Sequence, residues 1–505
     1  MLISLLVLIC YFSTSLAQKL TSSVTVLSTP FADTTVSWSG VPNPTTSDWI
    51  ALFCTGGTYY YWVYATGKEN DSVQMRLFAN SAGTGCATLQ FGYYSGSNVL
   101  MYTNEIVFEP MIQQIHLSMT SNATEMVIDF VSSGSGTKAS CSYGSSPTTL
   151  TQYAVATTTQ NLVLGNLSYA LLNGLTPGSK VYYQCTDGAV TSSVFSFSAG
   201  AVPPSGGPQR IAVFADFGVN DGFGLDQIAD DAANGMFDFC LHAGDFAYNF
   251  ESGNGANGNF FMNRAMLYSA NYPVQPAIGN HEMTANGAAY LLRHSGVNAH
   301  SNTGTSLYYS FENGLVHYLV FNSETYISGG ITDMLDFMKS DLASVDRSKT
   351  PWIVAYSHKL FWMDSTDFSS ISIILQQYNV SILFAGHWHY MERYEPYNPI
   401  TQEVDTASVS SDKHTYTNPK FLTMIVSGAP GDVERNDNCP GDPSLQHLIP
   451  SCTAQYGYGI FTVYNRTHIY WEFTAKPTPI GGQARRPAFR EQAGYTDYLW
   501  LIHDA

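Results

Sequence analysis

Residues 210–248 read RIAVFADFGVNDGFGLDQIADDAANGMFDFCLHAGDFAY. The stretch opens on a short apolar run, Arg210–Ala215, that reads as a buried strand. Leu225–Asn234 is a helix candidate, and Phe237–His242 is a second apolar strand. Strand, helix, strand is an α/β plan. Both strands run into turns that carry an acid and a glycine, Asp216-Phe217-Gly218 and Gly244-Asp245-Phe246-Ala247-Tyr248. Chemistry in such folds gathers on loops just beyond the strand C-termini.

Downstream the pattern repeats. Helices are predicted near 258–270, 331–345 and 366–378, and strands near 351–356 and 380–385. Three further loops carry metal-type ligands: Gly279-Asn280-His281-Glu282, His358 at the end of Trp352–His358, and Gly386-His387-Trp388-His389 after Ile382–Ala385. Carboxylates and a phenolate are hard oxygen donors, whereas imidazoles suit borderline divalent ions. One carboxylate can bridge two ions about 3.5 Å apart, as a two-metal hydrolase requires. On extended backbone the rings of His387 and His389 would point to opposite faces. A bend is therefore needed, and Gly386 is expected to help supply it. Alone, an Asp-x-Gly is usually a turn and a His-x-His usually incidental. Five such loops in order, each after a strand, make coincidence the poorer explanation.

Upstream the texture differs. Residues 18–109 alternate apolar and polar positions in short runs such as Thr35–Trp38 and Trp49–Phe53, broken by Gly, Pro and Asn. That is the pattern of an antiparallel sandwich. Residues 110–200 read as a second one, with strands at Glu125–Phe130 and Lys180–Cys185. Residues 201–209, AVPPSGGPQ, form a linker. The expected fold is multidomain: two N-terminal all-β sandwiches, immunoglobulin/fibronectin III-like, then an α/β domain over 210–505 with C-terminal strands and a tail. The aromatic run Thr58–Trp62 reads as packed β surface rather than a sugar platform.

Of the 505 residues, 45% are hydrophobic and 12% charged, which excludes wholesale disorder. A net charge of −18 argues against a nucleic-acid polymer as partner. An anionic substrate would then need local positive charge, and bound metal is the obvious source. Residues 1–17, MLISLLVLICYFSTSLA, read as a signal peptide, too short for the roughly 20 apolar residues of a span. No later stretch is long and apolar enough to cross a membrane. A secreted, extracellular protein is expected, with a vacuolar or lysosome-like compartment as the variant. Proximity along the chain pairs Cys54 with Cys86, Cys141 with Cys185 and Cys439 with Cys452, leaving Cys240 as a buried thiol. N-glycosylation sequons stand at Asn70, Asn122, Asn166, Asn379 and Asn465, the fourth close to a core strand.

The ordered set Asp-x-Gly, Gly-Asp-x-x-Tyr, Gly-Asn-His-Glu, His and Gly-His-x-His resembles the purple acid phosphatases of the metallophosphoesterase superfamily. The likeness covers about 110–475, and the first sandwich, through Ser47-Asp48-Trp49-Ile50, resembles the extra N-terminal domain of the longest members. It implies two stacked mixed sheets flanked by helices. It also implies that Asp216, Tyr248 and His389 hold Fe(III), that Asn280, His358 and His387 hold a divalent ion (Zn, Mn or Fe), and that Asp245 bridges. Tyr248 on ferric iron would give a purple charge-transfer band. His281 would contact a substrate oxygen, while Glu282 and His242 would support the ligands from behind. The implied activity is acid hydrolysis of a small phosphate monoester by a metal-bound hydroxide. Nucleotide pyrophosphatase or phosphodiesterase action with the same site is the alternative, and a catalytically weak binding module the second. The chain departs from the family at Ala355, where Val is usual. It departs again in Lys359–Asp367 (KLFWMDSTD), which lacks the histidine pair of plant members and leaves the leaving-group proton donor unassigned.

Overall fold

The structure, a computed structural model, describes residues 18–55, 59–79, 88–161, 165–202, 207–219, 223–324, 331–360, 369–431, 434, 437, 439–440, 443–475 and 496–504. Its contacts divide it into two compact units, 1–26 with 32–77 and 87–107, and 27–31 with 78–86 and 108–505. Residues 1–17, Cys86 and 361–368 lie outside the described residues.

The first unit is all β. Trp49–Cys54 pairs antiparallel with Tyr59–Tyr64 and with Thr88–Ser95. Asp48, which is buried, accepts hydrogen bonds from the Thr45 backbone N–H and from the hydroxyls of Thr45, Tyr93 and Ser95. Trp49 stacks on Tyr94 with ring centroids 4.2 Å apart and meets Trp62 edge-on. These aromatic rings cover one another.

The second unit begins with a sandwich. One sheet runs Ile112–Ser118, Met126–Ser132, Gly165–Leu172, Thr157–Asn161; the other is built on Ala139–Gly144 and Lys180–Asp187. Ile115, Ile128, Phe130, Tyr143, Val181 and Tyr183 meet in its core. That core is continuous with the α/β part. Tyr183 donates its hydroxyl proton to the Ala270 carbonyl at 2.6 Å, and the Met119 N–H donates to Gln275 Oε1 at 2.7 Å.

The α/β part holds two seven-stranded mixed sheets. The first runs Val274–Ala277, Phe239–Ala243, Gln209–Phe214, Gly457–Val463, His468–Ala475, Thr496–Ile502, Thr415–Thr417. The second runs Tyr309–Asn313, Val316–Val320, Trp352–Tyr356, Ile382–Ala385, Thr423–Ser427, Met391–Arg393, Ser451–Thr453. Val213, Leu241, Val354, Phe384 and Phe461 are buried in the core between them. Trp352–Tyr356 is buried at every position, as a central parallel strand covered on both faces should be. Helix Ile331–Ser344 buries Met334, Met338 and Leu342, one residue per turn. With Ser369–Gln377 it covers the outer face of the second sheet through Ile353, Leu383 and Met424. Helix Ala256–Ser269 covers the first sheet, where Tyr268 meets Phe214. The expected order of β sandwiches followed by stacked mixed sheets with helices outside is therefore present.

Cys141–Cys185 and Cys439–Cys452 are disulfides, Cys54 is disulfide-bonded, and Cys240 is free and buried. Asn70, Asn122, Asn379 and Asn465 are exposed, although Asn379 directly precedes a core strand. Asn166 is half-buried and donates its side-chain N–H to the Gly134 carbonyl at 2.7 Å. No described helix is long and apolar enough to cross a membrane.

Candidate metal centre

Each site residue sits just past a strand, and the two sheets share the task. Asp216, Asp245, Tyr248 and Asn280 follow Gln209–Phe214, Phe239–Ala243 and Val274–Ala277 of the first sheet. His358, His387 and His389 follow Trp352–Tyr356 and Ile382–Ala385 of the second. Oxygen donors thus come from one sheet and imidazoles from the other.

The donor atoms converge. Asp245, His358 and His387 each offer one donor within 4.8 Å of the others. His358 Nε2 lies 3.1 Å from Asp245 Oδ2 and 3.0 Å from Asn280 Oδ1. Its Nδ1 is 2.9 Å from the Ala243 carbonyl. A carbonyl only accepts, so Nδ1 carries a proton and Nε2 faces the site as the ligand atom. On the other side, the Tyr248 hydroxyl is 2.7 Å from His389 Nε2, which is 3.8 Å from Asp216 Oδ1. Asp216 Oδ1 is also 4.0 Å from His358 Nε2 and joins the two groups.

The backbone is bent to achieve this. Asp216, Asp245, Tyr248 and His387 have φ of 59°, 52°, 49° and 70°. The left-handed region is uncommon for residues with a Cβ and clusters at functional sites. The bend within Gly386-His387-Trp388-His389 therefore lies at His387 itself, not at Gly386 as the sequence suggested. Gly386 serves instead by being small: a Cβ there would stand 2.3 Å from Ala215 Cβ and 2.5 Å from Asp216 Oδ2. Gly428, which no motif marks, is equally confined: a Cβ there would stand 2.4 Å from the Trp388 carbonyl oxygen and 2.5 Å from Asp216 Oδ2.

Charge in the pocket is one-sided. Burial pushes His358 down, but the Asp245 carboxylate beside it, then Asp216 and Glu324, carry it up to about 10. Burial pushes Asp245 up, yet His358 holds it well below the usual carboxylate range. Glu282 accepts from the backbone N–H groups of Asp245, Phe246 and Gly279 at 2.9, 2.9 and 3.1 Å. Burial and the Asp245 charge push it up to about 8. Fully buried, it braces the turns that carry Asp245 and Gly279. A carboxylate-rich pocket lined by imidazoles and a phenol suits cations of the hard and borderline kind, so the residues present fit a metal centre.

His281 stands at the edge. Its backbone N–H donates to Asp245 Oδ1 at 2.9 Å, and its ring lies 4.3 Å from that of Tyr248. Nδ1 is 3.2 Å from Asn249 Oδ1, and Nε2 is 3.5 Å from Glu434 Oε1. His242 is not among these groups. It is packed against Phe214, Phe217, Phe246 and Phe261, with burial pushing its imidazole down. The sequence reading also missed Asp437, which accepts from the His389 N–H at 3.0 Å and donates its own N–H to the His389 carbonyl at 3.2 Å. No periodicity or motif marks the loop that carries it.

Three family models match in succession: the purple acid phosphatase N-terminal domain at 112–199, the calcineurin-like phosphoesterase at 209–391, and the iron/zinc purple acid phosphatase-like C-terminal region at 422–478. The chain belongs to the purple acid phosphatase family. Mouse acid phosphatase type 7 is 28% identical over 325 residues, 59% of this chain and 71% of the mouse protein. Purple acid phosphatase 21 of Arabidopsis thaliana is 27% identical over 386 residues, 72% and 80% of the two chains. A purple acid phosphatase from yellow lupin seeds shares the fold, with a TM-score of 0.70 at 17% identity over 97% of this chain and 96% of its own. This purple acid phosphatase is accordingly a phosphatase, a phosphoester hydrolase built around a metal-binding site.

Proposed function

We propose that the chain hydrolyses small phosphate monoesters at acid pH on a binuclear Fe(III)–M(II) centre, M being zinc, manganese or iron. We also propose that it is secreted as a glycoprotein after loss of residues 1–17. The observation that supports the reading is the convergence of the donors, Tyr248 on His389, His389 and His358 on Asp216, and Asp245 with His358 and His387. Tyr248, His389 and Asp216 would hold the ferric ion. His358, Asn280 and His387 would hold the divalent ion, with Asp245 between them. When bound, the two ions supply Lewis acidity to the phosphate and an activated water.

The chain's own groups do the rest. Asp245 receives the His281 backbone N–H, which ties the bridge to the substrate-facing loop. Asn249 Oδ1 accepts from His281 Nδ1, so it is the imidazolium, with both ring nitrogens protonated, that would donate from Nε2 to a substrate oxygen. Glu282 fixes the turns on either side of Asp245 through three N–H groups.

A barley nucleotide pyrophosphatase/phosphodiesterase, 24% identical over 65% of this chain and 95% of its own, keeps the phosphodiester reading as the second one. The test is a substrate panel on metal-quantified protein. p-Nitrophenyl phosphate should be cleaved faster than bis(p-nitrophenyl) phosphate or ATP. Faster diester turnover replaces the proposal with the second reading, and absence of turnover on all three leaves a binding module.

A further inference from the structure

We infer that Asn257 is a positioning residue for Tyr248 and, through Asn249, for His281; this rests on the reading of Tyr248 as a metal ligand given above. Tyr248 and Asn249 are consecutive residues in the left-handed region, with φ of 49° and 77°. Two such residues in a row reverse the chain sharply, and nothing in their own side chains favours that turn for tyrosine. The turn aims the carbonyls of Ala247, Tyr248 and Asn249 toward one point. Asn257 Nδ2 sits there, 2.6, 3.3 and 3.4 Å from the three oxygens.

The peg is itself anchored. Asn257 lies in the first turn of helix Ala256–Ser269, and its backbone N–H donates to the Ser252 carbonyl at 3.1 Å. Ser252 donates its N–H back to the Asn249 carbonyl at 3.1 Å. The loop from Ala247 to Asn257 therefore closes on itself through one side-chain amide. On its outer side the same turn delivers two contacts, the Tyr248 hydroxyl to His389 at 2.7 Å and Asn249 Oδ1 to His281 Nδ1 at 3.2 Å. The residue that would hold iron and the residue that would meet substrate are thus both tied to the Asn257 amide.

The chemistry makes the assignment testable. Aspartate has the shape of asparagine but no N–H, and its oxygens repel the three carbonyls. It is also well accepted in the first turn of a helix, so Asn257→Asp should fold. In Asn257→Asp, and in Asn257→Ala, kcat is expected to fall by about 10–100-fold with KM within about threefold, the scale seen for groups that orient ligands. The ferric band should shift or weaken, and iron should be lost in preference to the divalent ion, whose proposed ligands other than the bridging Asp245 lie on other loops. Asn249→Ala keeps the peg and removes only the contact to His281, so its band should match wild type while kcat falls about tenfold. Folded Asn257 variants with wild-type band, iron content and kcat overturn the inference. Failure of both to fold overturns it in favour of a purely structural role. A wild type without iron or a visible band sinks the underlying reading instead.

Discussion

Asp245→Ala is expected to lose both metal ions and to slow phosphate-ester hydrolysis by about a thousandfold or more. The estimate follows from the several kcal/mol that Lewis-acid stabilisation contributes, at about 1.4 kcal/mol per tenfold in rate. Asp245 is 1% exposed, lies 3.1 Å from His358 Nε2 and offers a donor within 4.8 Å of those of His358 and His387. Removing it leaves the buried His358 without its neighbouring charge and the His281 N–H without an acceptor. Alanine would also have to hold a φ of 52° that an L-residue disfavours by about 1–2 kcal/mol. Asp245→Asn separates the effects, because it preserves volume and can still accept from His281 but carries no charge. Elemental analysis and kcat on the folded variants decide the matter. Two tightly held equivalents in Asp245→Ala would show that the carboxylate does not bridge.

Tyr248→Phe is expected to abolish the visible band altogether. On the proposed reading the phenolate would be the chromophore's donor, and phenylalanine offers no oxygen to iron. The ring itself should stay in place. It is 6% exposed and packs at a tilt against the His281 ring, centroids 4.3 Å apart, and the backbone turn that aims it does not depend on the hydroxyl. Colour and fold are therefore separable in this variant. Absorption spectra of iron-loaded protein give the answer, and a persisting band would assign the ligand to another tyrosine.

Most of the architecture could be read from the chain because the deciding signals are local. Apolar runs such as Trp352–Tyr356 announced buried parallel strands, and the period of Met334, Met338 and Leu342 announced a helix. The candidate donors were equally visible, since acids, a phenol and imidazoles directly follow those runs. What sequence could not show is how backbone and distant loops hold them. The left-handed φ at His387 reassigns the bend that was expected from Gly386. Gly428 directly follows the buried strand Thr423–Ser427 and Asp437 lies in the loop beyond it, and neither carries a ligand motif, so their proximity to Trp388 and His389 is a product of tertiary folding. His242 directly precedes the Ala243-Gly244 turn, and that closeness in sequence suggested a role beside the ligands. In the structure its ring packs among phenylalanines, two of which, Phe217 and Phe246, adjoin Asp216 and Asp245.

The division of donors between the two sheets has a mechanical consequence. Ions held by oxygen from one sheet and nitrogen from the other would act as rivets through the seam between them. Sliding of one layer over the other would pull Asp245 away from His358 before either layer lost its own strand pairing. Chelation is therefore expected to quicken hydrogen exchange first along the seam, in Phe239–Ala243 and Trp352–Tyr356, while His468–Ala475 and Thr496–Ile502 stay protected. Uniform loosening across both sheets would show that the fastening lies elsewhere.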